Sequence, residues 1–444
     1  MAFVRDVLEG LCYSSVVFVI AYRWWKKRGL EMDHVFLFSC GFVFYLLIPI
    51  SLGTNEYFSG YGSPYVAWKA LYSSIPDRTW AVYFLSCLLL YGAFIAGDAW
   101  SGSRRISRPW KGHQCNGRVL NAFLVVGVVA AVVLGLPMLA TLFDYGPLTR
   151  TNALGSFTAA AMLILTLAVL ATADARQRQA GSGSFWRAIA NRFSMAYLII
   201  VAVLIASGGR VIIFSSVLAL LALFSVYVRR LQLWHVVCAL LALIVASHAI
   251  ELYRINLFAQ ILNPTQYTMK YLLFHLFSEN FNVSHSLLEF LHAYAIPYIR
   301  FPLTLLTGMI GLIPSFVFPH KLDYVIAPPL LGYQVNSPNG GMHAFVSLMV
   351  DFGVIGSMAF LFCVSWVLQR MKRGPLVPYG AMYALTSGWL ALLFFRDTQQ
   401  TLIKAILEFS ILVPLAVVLV SGWLMRRRGA RASNSQSIEV LDHA

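Results

Sequence analysis

Hydrophobic runs long enough to cross a bilayer recur along the whole chain, and short polar segments separate them. A membrane-spanning helix needs about 20 mostly apolar residues, because each residue adds about 1.5 Å across a hydrocarbon core of about 30 Å. Eleven runs meet this requirement, approximately at 8–22, 34–53, 79–97, 119–138, 153–173, 193–207, 211–228, 231–250, 343–368, 376–395 and 401–421. The pattern predicts an all-α, polytopic integral membrane protein with about 11 transmembrane helices.

Residues 301–318 form a further apolar run of about one span. Pro297, Pro302, Pro314 and Pro319 flank or interrupt this run, and proline breaks the hydrogen-bond ladder of a helix. We therefore expect a surface-lying or re-entrant helix here. The alternative is a true pair of extra spans, which would bring the total to 13.

The composition agrees with a membrane protein. Of the 444 residues, 59% are hydrophobic and only 11% are charged. Soluble domains carry about 25% charged residues, so this chain has too few charges to cover a water-facing surface. The net charge of +15 would suggest nucleic acid in a soluble protein, but in a polytopic protein basic residues belong to orienting loops. Nucleic-acid binding is not expected.

The basic residues cluster in alternate loops. Of the 33 Lys and Arg residues, 22 lie at positions 23–28, 104–118, 176–192, 229–230, 370–373 and 426–431. The positive-inside rule places these segments in the cytoplasm, with the amino terminus outside and the carboxyl terminus inside. The predicted division is a membrane domain over 1–250 with about eight spans, a large outer loop over 251–342, three spans over 343–425 and a cytoplasmic tail over 426–444.

The outer face collects the polar groups. Six of the ten histidines lie between positions 248 and 343, and Arg210, Arg254 and Arg396 each end or begin a span on this side. A planar guanidinium binds phosphate oxygens in pairs, so converging arginines suit a diphosphate on a lipid. The alternative is that they are interfacial arginines, whose charged heads mark the helix ends, or partners of Glu251 and Asp397 in salt bridges.

Three polar side chains in the outer loop fall on one face if the segment is helical. His285, Glu289 and His292 have the spacing i, i+4 and i+7, which is also the spacing of a metal site. Metal binding also needs supporting groups around the ligands, which a sequence does not show, and sugar transfer from a lipid diphosphate can proceed without metal where arginines neutralise the leaving group. We therefore favour an amphipathic surface helix without metal. The six cysteines form no CxxC motif, and we expect no cofactor.

Asp351 lies inside a predicted span, where an ionisable side chain is costly. It could pair with Lys404 or form a hydrogen bond to a neighbouring helix. Just before this span, His343 follows the turn formed by Gly340 and Gly341.

Five short motifs together resemble one family. They are SGGR at 207–210, SENF at 278–281, LIPSFVFPHK at 312–321, VDFGVIG at 350–356 and FFRD at 394–397. In these motifs and in topology, the chain resembles the Wzy-like O-antigen polymerases, which join oligosaccharide repeat units of bacterial surface polysaccharides. It departs from the family in having FPHK where many relatives have tryptophan before the corresponding proline and lysine.

The resemblance implies a GT-C-like membrane glycosyltransferase of the bacterial inner membrane with its active site facing the periplasm. Such an enzyme transfers a growing glycan from undecaprenyl diphosphate to the non-reducing-end sugar of another lipid-linked repeat unit. Its implied partners are this lipid-linked oligosaccharide, membrane lipid and a polysaccharide chain-length regulator.

The same resemblance assigns roles to particular residues. Arg210, Arg254 and Arg396 become candidate diphosphate-binding residues, and Glu279 and His343 become candidate bases for the acceptor hydroxyl. A carboxylate is ionised at neutral pH and can accept a proton, so we prefer Glu279. The further candidates are Lys321, His320 and Asp351.

Two other functions stay open. An O-antigen ligase has a similar topology but usually carries a histidine followed by asparagine, whereas His343 is followed by Ala344. A flippase or other transporter keeps charges near the bilayer centre, which Asp351, Lys404 and Glu408 would offer.

Overall fold

A computed structural model describes most of the chain. The described residues are 2–27, 29–54, 72–101, 116–141, 152–178, 192–206, 210–227, 230–254, 269–313, 317–326, 328–333, 344–374, 377–396, 399–425 and 427. Over these ranges the protein is helical, and the only extended pairing is a single antiparallel bridge between Leu30 and Leu231. The all-helical class predicted from the sequence is confirmed.

The described part of the fold is built of α-helices and two π-helical segments, and a further helical stretch over 413–425 follows the second π segment. The α-helices are α1 (Ala2–Lys27), α2 (His34–Phe42), α3 (Ile48–Thr54), α4 (Asp77–Trp100), α5 (Gly117–Thr141), α6 (Asn152–Arg178), α7 (Arg192–Ala206), α8 (Arg210–Tyr227), α9 (Leu233–Arg254), α10 (Met269–Ala293), α11 (Leu303–Gly308), α12 (Ala344–Lys372), α13 (Val377–Ala391), α14 (Leu393–Arg396) and α15 (Gln399–Ala405) in the described part of the chain. The π segments are π1 (Val43–Leu47), which joins α2 to α3, and π2 (Ile406–Leu412), which follows α15.

Every predicted span coincides with helical structure. Four helices within the described ranges are long and apolar enough to cross a membrane, namely His34–Gly53, Asp77–Trp100, Ala344–Lys372 and Thr401–Met425. Six further apolar helices have 10–17 residues. The protein is therefore a helical protein of the membrane-embedded type, while the number of eleven spans stays a prediction.

Contacts between residues divide the chain into two units. The first unit comprises Met1–Arg104, Arg210–Arg370 and Thr386–Ile406, and the second comprises Arg105–Gly209, Met371–Leu385 and Leu407–Ala444. Each unit is discontinuous in sequence, because helices distant along the chain pack together. The division predicted from the sequence is drawn differently, because it separates the spans from the long loop over 251–342 and from the tail.

At one end of the first unit, three helix ends meet around one arginine. Arg23, near the end of α1, forms ion pairs with Asp33 before α2 and Asp98 near the end of α4. Leu30, which follows Arg23 closely in the sequence, pairs with Leu231. The turn after α1 therefore also meets the turn before α9. All of these ends lie on the side that the charge pattern assigns to the cytoplasm.

The opposite ends of the same helices also meet. Ser51 in α3 donates a hydrogen bond to Glu9 of α1, at 2.5 Å. The Nδ1 atom of His292 at the end of α10 lies 3.2 Å from the hydroxyl of Thr79 at the start of α4. These two contacts join residues that the charge pattern assigns to the outer side, and the topology itself stays a prediction.

Aromatic packing fills the interior of the first unit. Phe38 of α2 stacks on Phe94 of α4 with ring centroids 3.9 Å apart, and it also contacts Phe394 and Phe395 of α14. Gly41 permits this approach, because a Cβ atom there would lie 2.3 Å from the backbone oxygen of Ala391.

The second unit is built around α5, α6 and α7, which pack on one another. The buried core of α6 runs from Ala160 to Ala173. The hydroxyl of Thr166 in α6 donates to the carbonyl oxygen of Phe409 in π2, at 3.0 Å. This bond ties α6 to π2 within the second unit.

Candidate functional site

Helix α10 carries the SENF motif and packs inside the first unit. Phe281, Leu287, Leu288 and Phe290 are all at most 1% exposed, and the helix contacts π1, α3 and α4. The expectation of a helix is confirmed, but the expectation that it lies on the surface is wrong. Large apolar residues occupy more than one face of α10, so no broad polar face is left to meet water.

The polar trio on α10 does not converge. His292 faces Thr79, whereas the ring of His285 packs edge-on against Tyr72, with centroids 6.4 Å apart. Burial lowers the pKa of His285 to about 4, so its imidazole is neutral at pH 7. Its Nδ1 lies 3.7 Å from a carboxylate oxygen of Glu289, and this contact is therefore not an ion pair at that pH.

No three potential ligand side chains come together among the residues that the structure describes. The His285, Glu289 and His292 spacing therefore does not assemble a metal site in this conformation.

Asn280 fixes α10 against the π-helical segment. Its side-chain nitrogen donates to the carbonyl oxygen of Phe44 in π1, at 3.0 Å, and the residue is only 3% exposed. Phe281 packs near Gly53, and Tyr72 shares a hydrogen bond with Ser284 at 3.1 Å. The backbone of Glu279, the preferred candidate base, is therefore followed by two residues that are held in place, Asn280 and Phe281, while the Glu279 side chain lies outside what is described.

Two of the three helices that carry the candidate arginines contact α10. Arg254 is the last residue of α9 and Arg396 is the last residue of α14, and both helices contact α10. Arg210 is the first residue of α8. Five residues further on, Ser215 meets Gly388, where a Cβ atom would lie 2.3 Å from the Ser215 carbonyl oxygen.

The structure thus brings the elements bearing Glu279, Arg210, Arg254 and Arg396 into one unit. The Arg396 side chain is half-buried, and it interacts with neighbouring groups. The side chains of Arg210 and Arg254 lie outside the described part of the protein. His343, the second candidate base, also lies outside the described residues, one position before α12 begins.

Two of the further candidates have other surroundings. The Lys321 amine donates to the carbonyl oxygens of Gly311 and Ile313, at 3.1 and 2.6 Å, and so closes the turn after α11. The His320 side chain is 83% exposed and lies 3.7 Å from a carboxylate oxygen of Asp323. Lys321 therefore supports the loop, and His320 faces outward.

The apolar run over 301–318 is helical only in part. Helix α11 has six residues, and a 3₁₀ turn over Met309–Leu312 adds four. Ten residues cover less than about 20 Å, which is shorter than the hydrocarbon core of about 30 Å. These lengths agree with a surface-lying or re-entrant helix.

Asp351 binds the amino-terminal end of α11. Its two carboxylate oxygens accept hydrogen bonds from the backbone nitrogen and the hydroxyl of Thr304, at 2.8 and 2.6 Å. The sequence leaves two alternatives for Asp351, a pairing with Lys404 or a hydrogen bond to a neighbouring helix. The structure contains the hydrogen bond to a neighbouring helix. The carboxylate occupies a helix amino terminus, which is a position that favours negative charge.

The chain breaks its helical course two residues later. Gly353 has φ of 71°, inside α12, and the loop at residues 297–300 runs alongside this break. The backbone nitrogens of Val354 and Ile355 donate to the carbonyls of Pro297 and Tyr298. The VDFGVIG motif therefore attaches the outer loop to α12.

Several of these features were not anticipated from the sequence. The bond from Asn280 to π1 depends on a π-helical turn that the hydrophobic pattern does not display, although an amide inside the SENF motif was a visible signal. The ion pairs of Arg23 join residues 10 and 75 positions apart, and one sequence gives no means of pairing them.

Together these features define a helical membrane protein in which a buried helix, α10, contacts two arginine-bearing helices. Comparison with family models, with curated proteins and with solved structures finds no match to this chain.

Proposed function

We propose that the protein is a glycosyltransferase that polymerises lipid-linked oligosaccharide repeat units at the outer face of the inner membrane. One observation carries this proposal. Helix α10, which bears Glu279, contacts both α9 and α14, whose last residues are Arg254 and Arg396. A carboxylate and several guanidinium groups on adjoining helices are the groups that glycan transfer from a lipid diphosphate requires.

The chemistry divides between these groups. The acceptor sugar hydroxyl is a weak nucleophile, and Glu279 is proposed to accept its proton as the new glycosidic bond forms. The bond from the donor sugar to undecaprenyl diphosphate breaks at the same time, and negative charge develops on the departing diphosphate. Arg210, Arg254 and Arg396 are proposed to stabilise that charge, which preorganised cations do efficiently in a site shielded from water.

A transporter or flippase is the second candidate, because α12 is discontinuous at Gly353 and discontinuous helices form substrate sites in transporters. The groups exposed by the break are already bonded, however. The Phe352 carbonyl accepts from the Arg300 backbone, and the Gly353 carbonyl accepts from the Ser357 hydroxyl at 2.6 Å. The break therefore serves attachment of the loop, and the polymerase is preferred over the transporter and over the ligase.

The proposal is tested with purified protein in lipid vesicles and lipid-linked repeat units as both donor and acceptor. Glu279→Gln should reduce polymer formation by roughly a hundred- to ten-thousand-fold, with substrate binding retained. Arg210→Lys, Arg254→Lys and Arg396→Lys keep the charge but lose the paired geometry, and each should reduce both binding and turnover.

Matched controls come from the other side of the molecule. Glu31→Gln and Arg192→Lys make the same substitutions on segments that the charge pattern assigns to the cytoplasm, and both should retain parental activity. A parental Glu279→Gln enzyme together with an inactive His343→Ala enzyme would transfer the role of base to His343. Product formed only with a lipid A core acceptor would instead favour the ligase, and movement of the lipid without any new glycosidic bond would favour the flippase.

A further inference from the structure

A cavity of about 330 Å³ lies inside the first unit. It is bordered by α1, α2, π1, α8 and α9, and its lining includes Val16, Phe44, Leu218, Leu243 and Ile244. Volumes of about 300 to 1,000 Å³ are typical of sites for small molecules. The cavity belongs to helices that lie on predicted membrane spans, so lipid is the surrounding medium.

The lining of the cavity follows one membrane span. It extends from Leu37 in α2 through π1 to Ile48 at the start of α3, which corresponds to about 16 Å of helix. Most of the side chains along the lining are apolar. Burying a sugar or a charged headgroup against apolar side chains is costly, so the lining favours a hydrocarbon chain.

The polar groups in the lining are already bonded inside the protein. The Ser39 hydroxyl bonds to the Val35 carbonyl at 2.7 Å and to the Tyr91 hydroxyl at 2.8 Å. Asn280 donates to the Phe44 carbonyl. Water in a cavity needs two to four polar partners, and polar groups are few in this lining, so an apolar occupant is favoured.

The cavity adjoins the lipid-facing surface on two helices. Val16 in α1 lines the cavity and is 3% exposed, whereas its neighbour Val17 is 66% exposed. On α9, Leu240 and Leu243 line the cavity, whereas Leu241 is 55% exposed. In a membrane protein such outward apolar side chains contact acyl chains. The cavity therefore lies beside the lipid-facing side chains of α1 and α9.

From this geometry we infer that the cavity is a binding site for one hydrocarbon chain of a membrane lipid. The π-helical turn at Val43–Leu47 contributes to the site, because Val43, Phe44 and Tyr45 all line it. π-helical turns occur frequently at functional sites. The inference does not depend on the proposed polymerase activity, since the hydrocarbon chain of any membrane lipid satisfies it.

Two photoreactive lipids test the site on the full-length protein in vesicles. One is phosphatidylglycerol with a diazirine in an acyl chain, and the other is a polyprenyl phosphate with a diazirine in its isoprenoid chain. After irradiation, labelled peptides are identified by mass spectrometry. We expect labelling of cavity residues, with Val16, Phe44 and Leu243 as diagnostic positions.

Variants with matched controls establish the position. Leu243→Trp and Val16→Phe fill the cavity from opposite walls, and each should reduce labelling of the cavity residues by about tenfold or more because the volume is lost. Leu241→Trp and Val17→Phe enlarge outward-facing neighbours on the same helices and should leave that labelling unchanged. Elution as a single symmetric peak in size-exclusion chromatography confirms that each variant is folded.

The outcomes separate the lipid source from the site itself. Labelling by the acyl probe that excess polyprenyl phosphate does not displace identifies a structural phospholipid, and labelling by the isoprenoid probe that excess phospholipid does not displace identifies an isoprenoid. Either result supports the site. Labelling confined to outward-facing residues, or equal in all four variants, would overturn it. Because labelling needs no turnover, an inactive polymerase would leave this result intact.

Discussion

Gly353 and Pro297 approach each other so closely that a Cβ atom on residue 353 would lie 2.4 Å from the Pro297 carbonyl oxygen. The same glycine has φ of 71°, a backbone conformation that residues with side chains rarely adopt. Steric space and backbone conformation therefore both require glycine at the point where the outer loop attaches to α12.

Gly353→Ala should destabilise the protein by about 1–3 kcal/mol or more, because it adds a strained backbone and a direct clash. Thermal unfolding in detergent measures the loss. Gly92→Ala is the matched control, since Gly92 lies in α4 with nothing within 4 Å of a new Cβ atom. That variant should be as stable as the parent or slightly more stable. Equal melting temperatures for the two variants would contradict the proposed attachment.

Arg23 compensates two carboxylates at once. The Asp33 side chain is fully buried and that of Asp98 is 10% exposed, so Arg23→Gln leaves buried negative charge without its counter-charge. We expect a loss of about 3–5 kcal/mol in the free energy of unfolding. The double variant Arg23→Gln with Asp98→Asn should recover part of this loss.

Arg230→Gln provides the control for the Arg23 variant. Arg230 also pairs with a carboxylate, that of Glu31 at 3.3 Å, but its side chain is 45% exposed. An exposed pair contributes about 0–1 kcal/mol, so the change should be small. Similar losses for both arginine variants would show that burial of the Arg23 cluster is not the cause.

His285 should make the protein sensitive to acid. Its pKa of about 4 in the folded protein lies below the value of 6.5 for a free histidine. Between these two pH values the unfolded chain binds a proton that the folded protein does not, so stability falls as the pH falls from 6.5 towards 4. The shift corresponds to at most about 3 kcal/mol, and it has no effect above pH 7.

Melting temperatures measured from about pH 7.5 down to about pH 4 cover the range between the two pKa values of His285 and test this expectation. His285→Gln should show a flatter profile than the parent. His320→Gln, which alters a side chain that is 83% exposed, should retain the parental profile. An unchanged acid sensitivity in His285→Gln would assign the effect to other groups.

The orientation in the membrane predicts opposite accessibility for two positions. Tyr298 is 77% exposed beside the α12 break, and Trp100 is 78% exposed at the end of α4 that meets Arg23. In a background without the native cysteines, a cysteine at 298 should react with an impermeant reagent in intact cells, and a cysteine at 100 should react only after the membrane is opened. The reverse pattern would invert the topology.

Hydrophobic periodicity predicts the helices well and their placement poorly. Each predicted span coincides with helical structure because an apolar run of about 20 residues has few other stable conformations in a membrane. Helix α10 was expected on the surface, since its mixture of Asn, Ser and His side chains gives it a polar composition. Asn280 and Ser284 instead form hydrogen bonds inside the fold.

The candidate site was predictable only as a set of positions. The outer arginines and the SENF motif could be identified along the chain, but the contact of α10 with α14 joins residues that are 100 or more positions apart. The role of Asp351 could be narrowed to two possibilities. Its partner Thr304 lies 47 positions away, in a proline-containing segment whose conformation the sequence pattern does not specify.

The π1 segment has a consequence for how the second span tolerates change. One extra residue per turn rotates everything after Leu47 by about 100° relative to everything before Val43. The two halves of this span therefore face different neighbours. α2 packs against the aromatic rings around Phe38, and α3 packs against α10. Removing a single residue from 43–47 should restore a regular helix and turn the half that follows away from Phe281, a greater disturbance than most substitutions at the same positions would cause.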